Sequence, residues 1–199
     1  MKKILRITSS PRAEYSNSKK LGKKLTEQLL AMHPGSVIVE RDLVETPPPY
    51  LQQQHIVSFF KDPADRTAAD MDVLAYSDGV VREVFEADII IIEAPMYNYG
   101  IDARLKSWAD QLLRIGVTFG YDAEGKRIGL VQGKVAYIAM SSGGIYSAGE
   151  TPALDFVAPY LRSILDFIGI NNSRVVRVEG VLFASLSEQE IEVYAKLNN

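Results

Sequence analysis

The segment Ile89-Ile90-Ile91-Ile92 constrains this chain more than any other. Four consecutive β-branched aliphatic residues leave no polar face, so they fit a strand covered on both sides. Val135-Ala136-Tyr137-Ile138-Ala139-Met140 reads the same way. Ile4-Leu5-Arg6-Ile7 and Val37-Ile38-Val39 supply two more strands. Val175-Val176-Arg177-Val178 mixes Val with Arg and fits a strand nearer an edge. Arg6 is the awkward member, because in a central strand its charge has to escape along the sheet surface.

Helical stripes separate these runs. Leu21, Leu25, Leu29 and Met32 form one after Ser18; Val73, Val80, Val81 and Val84 form a second. Leu105, Trp108, Ala109, Leu112 and Leu113 follow the i, i+3, i+4, i+7, i+8 rule behind Asp102 as cap. Leu154, Val157, Leu161, Ile164, Leu165 and Ile168 make another, opened by Thr151-Pro152, and Glu188 to Leu197 suits a closing helix. Strands alternating with helices predict an α/β fold, a doubly wound five-stranded parallel sheet with helices on both faces. By analogy with flavodoxin-like sheets, the strand order is 2-1-3-4-5.

With 199 residues, the chain suits a single domain, residues 1–199. A long connection at about 44–66 interrupts the compact pattern with Pro47-Pro48-Pro49-Tyr50 and Phe59-Phe60. It reads equally as an interfacial segment or as a tucked surface loop. Lys plus Arg number 22 and Asp plus Glu 25, a net charge of −3, which excludes a generally basic nucleic-acid binder. No cysteine is present, which removes disulfides, thiolate nucleophiles and thiolate metal sites. His33 and His55 are too few for a His-rich metal site and are expected at the surface. Trp108 is expected in the core or an interface, and the Lys19-Lys20 and Lys23-Lys24 pairs on a solvated helix face. Without a signal peptide or an apolar span of about 20 residues, the expectation is a cytoplasmic protein that does not enter membranes.

In an open α/β sheet, ligands bind beyond the carboxyl ends of the strands. Three loops there carry unusual chemistry. Thr8 to Ser18 offers Ser10, Ser16 and Ser18 hydroxyls and the Asn17 amide at a helix start, where free N–H groups and the helix dipole attract an anion such as a phosphate monoester. The same residues serve equally as helix caps and turn formers. The loop lacks both Gly-x-x-x-x-Gly-Lys and Gly-x-Gly-x-x-Gly, which disfavours nucleoside triphosphate hydrolysis and dinucleotide binding. Pro95-Met96-Tyr97-Asn98-Tyr99 sets apolar and aromatic side chains beside one amide, suited to a flat ring with polar edges, although aromatics at strand ends usually belong to a core or interface. Ser141-Ser142-Gly143-Gly144 allows close backbone approach and offers N–H donors; a Gly-Gly pair alone favours a plain turn. One ligand that uses all three loops is flavin mononucleotide (FMN), its phosphate on the first loop and its ring between the other two.

These motifs carry a resemblance. Ala94-Pro95-Met96-Tyr97-Asn98, then Leu105-Lys106, Gly116-Val117-Thr118-Phe119, Gly143-Gly144-Ile145, Pro159-Tyr160-Leu161 and Phe167-Ile168-Gly169-Ile170 resemble the FMN-dependent NADH-azoreductases, also described as NADH:quinone oxidoreductases, across nearly the whole chain. The resemblance implies bound FMN, NADH or NADPH as electron donor, and quinones or azo compounds as acceptors. It implies a homodimer with the flavin near the interface, where Tyr121, Tyr50 and Phe60 contribute across the boundary. The implied scheme is ping-pong: a nicotinamide passes a hydride to the flavin, and an acceptor then takes two electrons in the same pocket. Azo cleavage to two amines needs two such cycles. No side-chain nucleophile or metal is required, and Asn98 and Tyr146 are candidate orienting groups. Tyr99 and Gly100 stand where the family pattern has Phe and Asn, Ser142 and Gly120 where it has Arg, and Tyr146 where it can have His. Fewer cations near the pocket predict weaker discrimination by anionic substituents on the acceptor. Two rival readings are a flavodoxin-like electron carrier serving a protein partner and a flavin-free anion-binding protein.

Overall fold

The computed structural model describes residues 1–182 and 186–197. Its sheet has five parallel strands: β1 (Lys3–Thr8), β2 (Val37–Asp42), β3 (Ile89–Pro95), β6 (Val135–Ser141) and β7 (Asn172–Val178). Their order is β2-β1-β3-β6-β7, which is 2-1-3-4-5 among the sheet's own strands, as expected. The remaining two, β4 (Phe119–Tyr121) and β5 (Arg127–Gly129), form a separate antiparallel ribbon that the sequence pattern did not signal.

The helices are α1 (Asn17–Met32), α2 (Gln53–Phe60), α3 (Ala68–Glu86), α4 (Ala103–Leu112), α5 (Ala158–Ile168) and α6 (Glu188–Ala195). Alternation along the strands divides the core in two. Ile90, Ile92 and Ala94 pack with Trp108 of α4 and Leu161 and Leu165 of α5. Ile89 and Ile91 pack with Leu21, Leu25 and Leu29 of α1 and Ile191 of α6. The all-apolar run follows from this double cover, since every residue of β3 is buried. Trp108 lies in the core at 1% exposure. Among the described residues no helix is long and apolar enough to cross a membrane.

Several local expectations need correction. The fifth helix opens at Ala158, not after Thr151-Pro152. Pro152–Leu154 make only a 3₁₀ turn, and Asp155 Oδ1 accepts from Val157 N (2.9 Å) and Ala158 N (3.0 Å), which fixes the true start. The connection at 44–66 contains α2, which the prolines and short apolar pairs concealed. His55 is buried rather than at the surface. Its Nδ1 accepts from Gln52 N at 3.2 Å to close the N-terminus of α2, and its ring meets Phe59 edge-on. Burial pushes its imidazole pKa down. Asp102 caps α4 as expected, its carboxylate accepting from Arg104 N at 2.9 Å.

Arg6 is resolved by a partner that lies across the sheet. Its Nε donates to Glu93 Oε1 at 2.5 Å, while Nη1 reaches the exposed Glu40 at 3.1 Å. Glu93 follows Ile89 and Ile91 at period two and so faces α1. There α1 carries Gly22, and any Cβ at that position would overlap the Glu93 carboxylate. Gly22 costs the helix about 1 kcal/mol in propensity relative to Ala, and it makes room for the buried Glu93 carboxyl and its Arg6 partner.

Candidate functional site

The carboxyl ends of β1, β3, β6 and β7 open onto one cleft of about 190 Å³. Ser10, Arg12, Ser16, Asn17, Pro95, Met96, Tyr97, Ser141, Ser142, Gly143, Val181 and Leu182 line it. Nine of the thirteen expected cofactor-binding positions line the cleft, namely Ser10, Ser16, Asn17, Pro95, Met96, Tyr97, Ser141, Ser142 and Gly143, and Ser18, Asn98, Tyr99 and Gly144 stand behind or beside it.

The first wall is the turn from β1 into α1. Ser16 caps α1, its Oγ accepting from Lys19 N at 3.3 Å, and Ser18 lies behind it, fully buried, with the two hydroxyls 3.1 Å apart. Ser10 and Ser16 are buried and Asn17 nearly so. The first N–H groups of α1 face no intrahelical acceptor, as at every helix start. Arg12 brings a guanidinium to the same wall. Ser10 Oγ and Tyr97 OH, 3.3 Å apart, join this wall to the next.

The second wall is a tight hairpin. Tyr97 and Gly100 exchange backbone hydrogen bonds of 2.9 and 3.0 Å around Asn98 and Tyr99. Both central residues have positive φ, 50° and 69°. Asn tolerates that region, whereas for Tyr99 it costs about 1–2 kcal/mol. The turn sets the Tyr97 side chain on the cleft and leaves Tyr99 half exposed beside it, where its ring meets Tyr146 edge-on at 6.0 Å. Asn98 and Tyr99 therefore shape the wall without lining it.

The third wall follows β6. Ser142 Oγ donates to Gly144 O at 2.9 Å, and the backbone N–H of Leu182 donates to Gly143 O at 3.2 Å. Among the described residues, the Gly143 and Gly144 N–H groups donate no hydrogen bond. Gly144 lies under the Tyr146 ring rather than on the cleft.

Sequence reasoning missed three lining residues. Arg12 was inside the first loop, but only its hydroxyl and amide neighbours were singled out. Val181 and Leu182 follow β7, a fourth strand end at the same sheet edge, so the rule that found the other three loops applies to them as well. The chemistry of the cleft is one-sided: hydroxyls, an amide, a guanidinium and backbone N–H donors at one end, Met96, Pro95, Val181 and Leu182 along the rest, and no carboxylate among the described lining residues. That set fits an anionic phosphate joined to an apolar planar ring. Tyr50, Phe60 and Tyr121 do not line the cleft; they are 72%, 71% and 55% exposed elsewhere on the surface.

Comparison with known proteins agrees with this geometry. The model of the family described as "Flavodoxin-like fold" matches residues 2–197. The FMN-dependent NADH:quinone oxidoreductase of Herminiimonas arsenicoxydans is 41% identical over 181 residues, 91% of this chain and 88% of that protein. FMN-dependent NADH:quinone oxidoreductase 1 of Rhizobium etli is 42% identical over 183 residues, 92% and 89% of the two chains. The crystal structure of an azoreductase from Bacillus anthracis superposes with a TM-score of 0.86 at 30% identity, covering 98% of this chain and 95% of that one. The chain belongs to the flavodoxin-like family that contains the FMN-dependent NADH:quinone oxidoreductases.

Proposed function

We propose that this chain is an FMN-dependent NAD(P)H oxidoreductase that reduces quinones and azo compounds. The observation that carries the reading is the cleft, without a carboxylate among its described lining residues, which joins an anion-binding helix start to an apolar slot at one sheet edge. Its relatives, named FMN-dependent NADH:quinone oxidoreductases, support the same cofactor and donor. Bound there, FMN supplies the two-electron chemistry between a nicotinamide and the acceptor.

The protein's own residues bind and orient. Ser10, Ser16, Asn17 and the start of α1 hold the phosphate, with Ser18 fixing Ser16 from behind. Pro95, Met96 and Tyr97 support the ring, with Asn98 and Tyr99 setting the turn. Ser141, Ser142 and Gly143 would meet the ring edge, with Gly144 continuing the turn beside them, and the Gly143 N–H would stabilise negative charge that develops there. Asn98 and Tyr146 orient the visiting substrate. The working unit of this reading is a cytoplasmic homodimer. Its support is an apolar groove of about 130 Å³ between α2 and β4, lined by residues including Leu51, Ile56, Phe60, Leu113 and Phe119. Phe60, Tyr50 and Tyr121 of a second copy complete the pocket from that side.

The test is steady-state NADH consumption with a quinone and no second protein, both substrates being varied. The reading expects turnover and parallel double-reciprocal lines, because donor and acceptor occupy one cleft in turn. Intersecting lines contradict the shared cleft. Flavin-loaded protein that consumes no NADH contradicts the enzyme reading and favours an electron carrier.

A further inference from the structure

Between β6 and α5 the chain makes a long excursion past the cleft, and both its feet are held by carboxylates. At the first foot, Glu179 Oε1 accepts from Tyr146 N at 2.9 Å, and Glu179 Oε2 accepts from the Ser147 hydroxyl. At the second, Asp155 Oδ1 accepts from Val157 N and Ala158 N and starts α5. One guanidinium joins the two. Arg177, on β7, donates from Nη2 to Asp155 Oδ2 at 2.7 Å, and its Nη1 lies 3.6 Å from Glu179 Oε1. Nη1 also donates to Met140 Sδ at 3.2 Å on the neighbouring strand, which fixes the side chain in place. Neither carboxylate is free in water: the Asp155 side chain is 5% exposed and that of Glu179 12%.

The excursion also carries one side of the aromatic pair beside the cleft. Tyr146 meets Tyr99 edge-on, and Phe156 N donates to Tyr99 O at 3.2 Å. Tyr99 is thus gripped from both feet of the same loop, which is how a bulky residue keeps its positive φ. Without the guanidinium, two poorly solvated carboxylates would repel each other and the feet would part.

We infer that Arg177 is a positioning residue: by bridging Asp155 and Glu179 it clamps the loop between β6 and α5 and holds the Tyr99–Tyr146 pair that selects flat aromatic acceptors. The selectivity half rests on the function proposed above; the clamp itself rests on geometry alone.

The test compares the parent with Arg177→Met and Arg177→Lys, all loaded with FMN. Hydrogen exchange of the Tyr146 and Val157 amides rises in Arg177→Met and is restored in part by Lys. The KM for 2-methyl-1,4-naphthoquinone rises about tenfold in the Met variant, the effect of losing one charge-assisted hydrogen bond, while the FMN dissociation constant stays within about twofold, since the phosphate wall does not touch Arg177. If Arg177→Met fails to fold, Glu179→Ala removes the acceptor of Tyr146 N and releases the first foot alone, and it is read by the same two measurements. Unchanged amide exchange overturns the clamp. An unchanged KM, or FMN affinity lost in proportion to the KM, overturns the selectivity role. A parent that binds FMN and turns nothing over overturns the proposed function, and amide exchange still judges the clamp.

Discussion

Replacing Glu93 by Gln separates the cost of a buried charge from the shape that surrounds it. Glu93 is fully buried between β3 and α1; its Oε1 accepts from Arg6, and its Oε2 has no partner among the described residues. Burial pushes its carboxyl from 4.5 up to about 8, with the Arg6 guanidinium pulling the other way. The unfolded chain releases that proton near the ordinary value. Between the two values the folded protein holds a proton that the unfolded chain has lost, so stability falls as pH rises through this window. At 1.36 kcal/mol per unit the whole window amounts to roughly 5 kcal/mol, an upper limit. Gln does not titrate, and where the protonated acid presents one O–H without a partner it presents an NH2 with two donors, a cost that is the same at every pH. Arg6 keeps Glu40 as a counter-charge in the variant. Urea unfolding at about pH 5 and about pH 8.5 is the assay. Relative to the parent, Glu93→Gln gains several kcal/mol between the two conditions, up to that roughly 5 kcal/mol limit. A difference that is the same at both pH values refutes the reasoning and means that Arg6 keeps Glu93 ionised throughout.

Three further outcomes follow from the same geometry. Gly22→Ala places a methyl group into the Glu93 carboxylate and lowers stability by about 1–3 kcal/mol; in a Glu93→Ala background the same change is neutral or gains up to about 1 kcal/mol from helix propensity, read by urea unfolding of the four proteins. Phe60→Glu puts a charge on the apolar groove beside α2, and sedimentation of the variant moves from dimer to monomer, whereas an unchanged dimer places the interface elsewhere. Ser142→Arg adds a cation at the cleft wall and raises the rate for sulfonated over uncharged azo dyes; unchanged relative rates remove the idea that the missing cation sets this preference.

The fold was legible because a doubly covered strand has a distinctive composition. Ile89–Ile92 and Val135–Met140 are unbroken, and the helix stripes between them repeat at 3.6 residues. Where the signal failed, tertiary contacts decided. The β4–β5 ribbon has strands of three residues, too short for a period-two pattern, and α2 spans eight residues behind three prolines. Leu154 continued the apolar stripe of α5 in sequence, yet Asp155 starts the helix after it. Of the site, the polar loop residues were readable from the strand-end rule. The Arg6–Glu93 pair and the Arg177 bridge were not, because Arg6 and Glu93 lie on different strands, and Arg177 on β7 meets Asp155 in the loop before α5, contacts that exist only once the chain has folded.

The most direct measurement is equilibrium binding of FMN to flavin-stripped protein, followed by quenching of flavin fluorescence, with riboflavin as the comparison. The account predicts saturation at one FMN per chain, weaker binding of riboflavin, and a further loss of FMN affinity when Ser16 and Asn17 are both replaced by Ala. A folded protein that leaves FMN fluorescence unchanged, or that binds riboflavin as tightly as FMN, contradicts it.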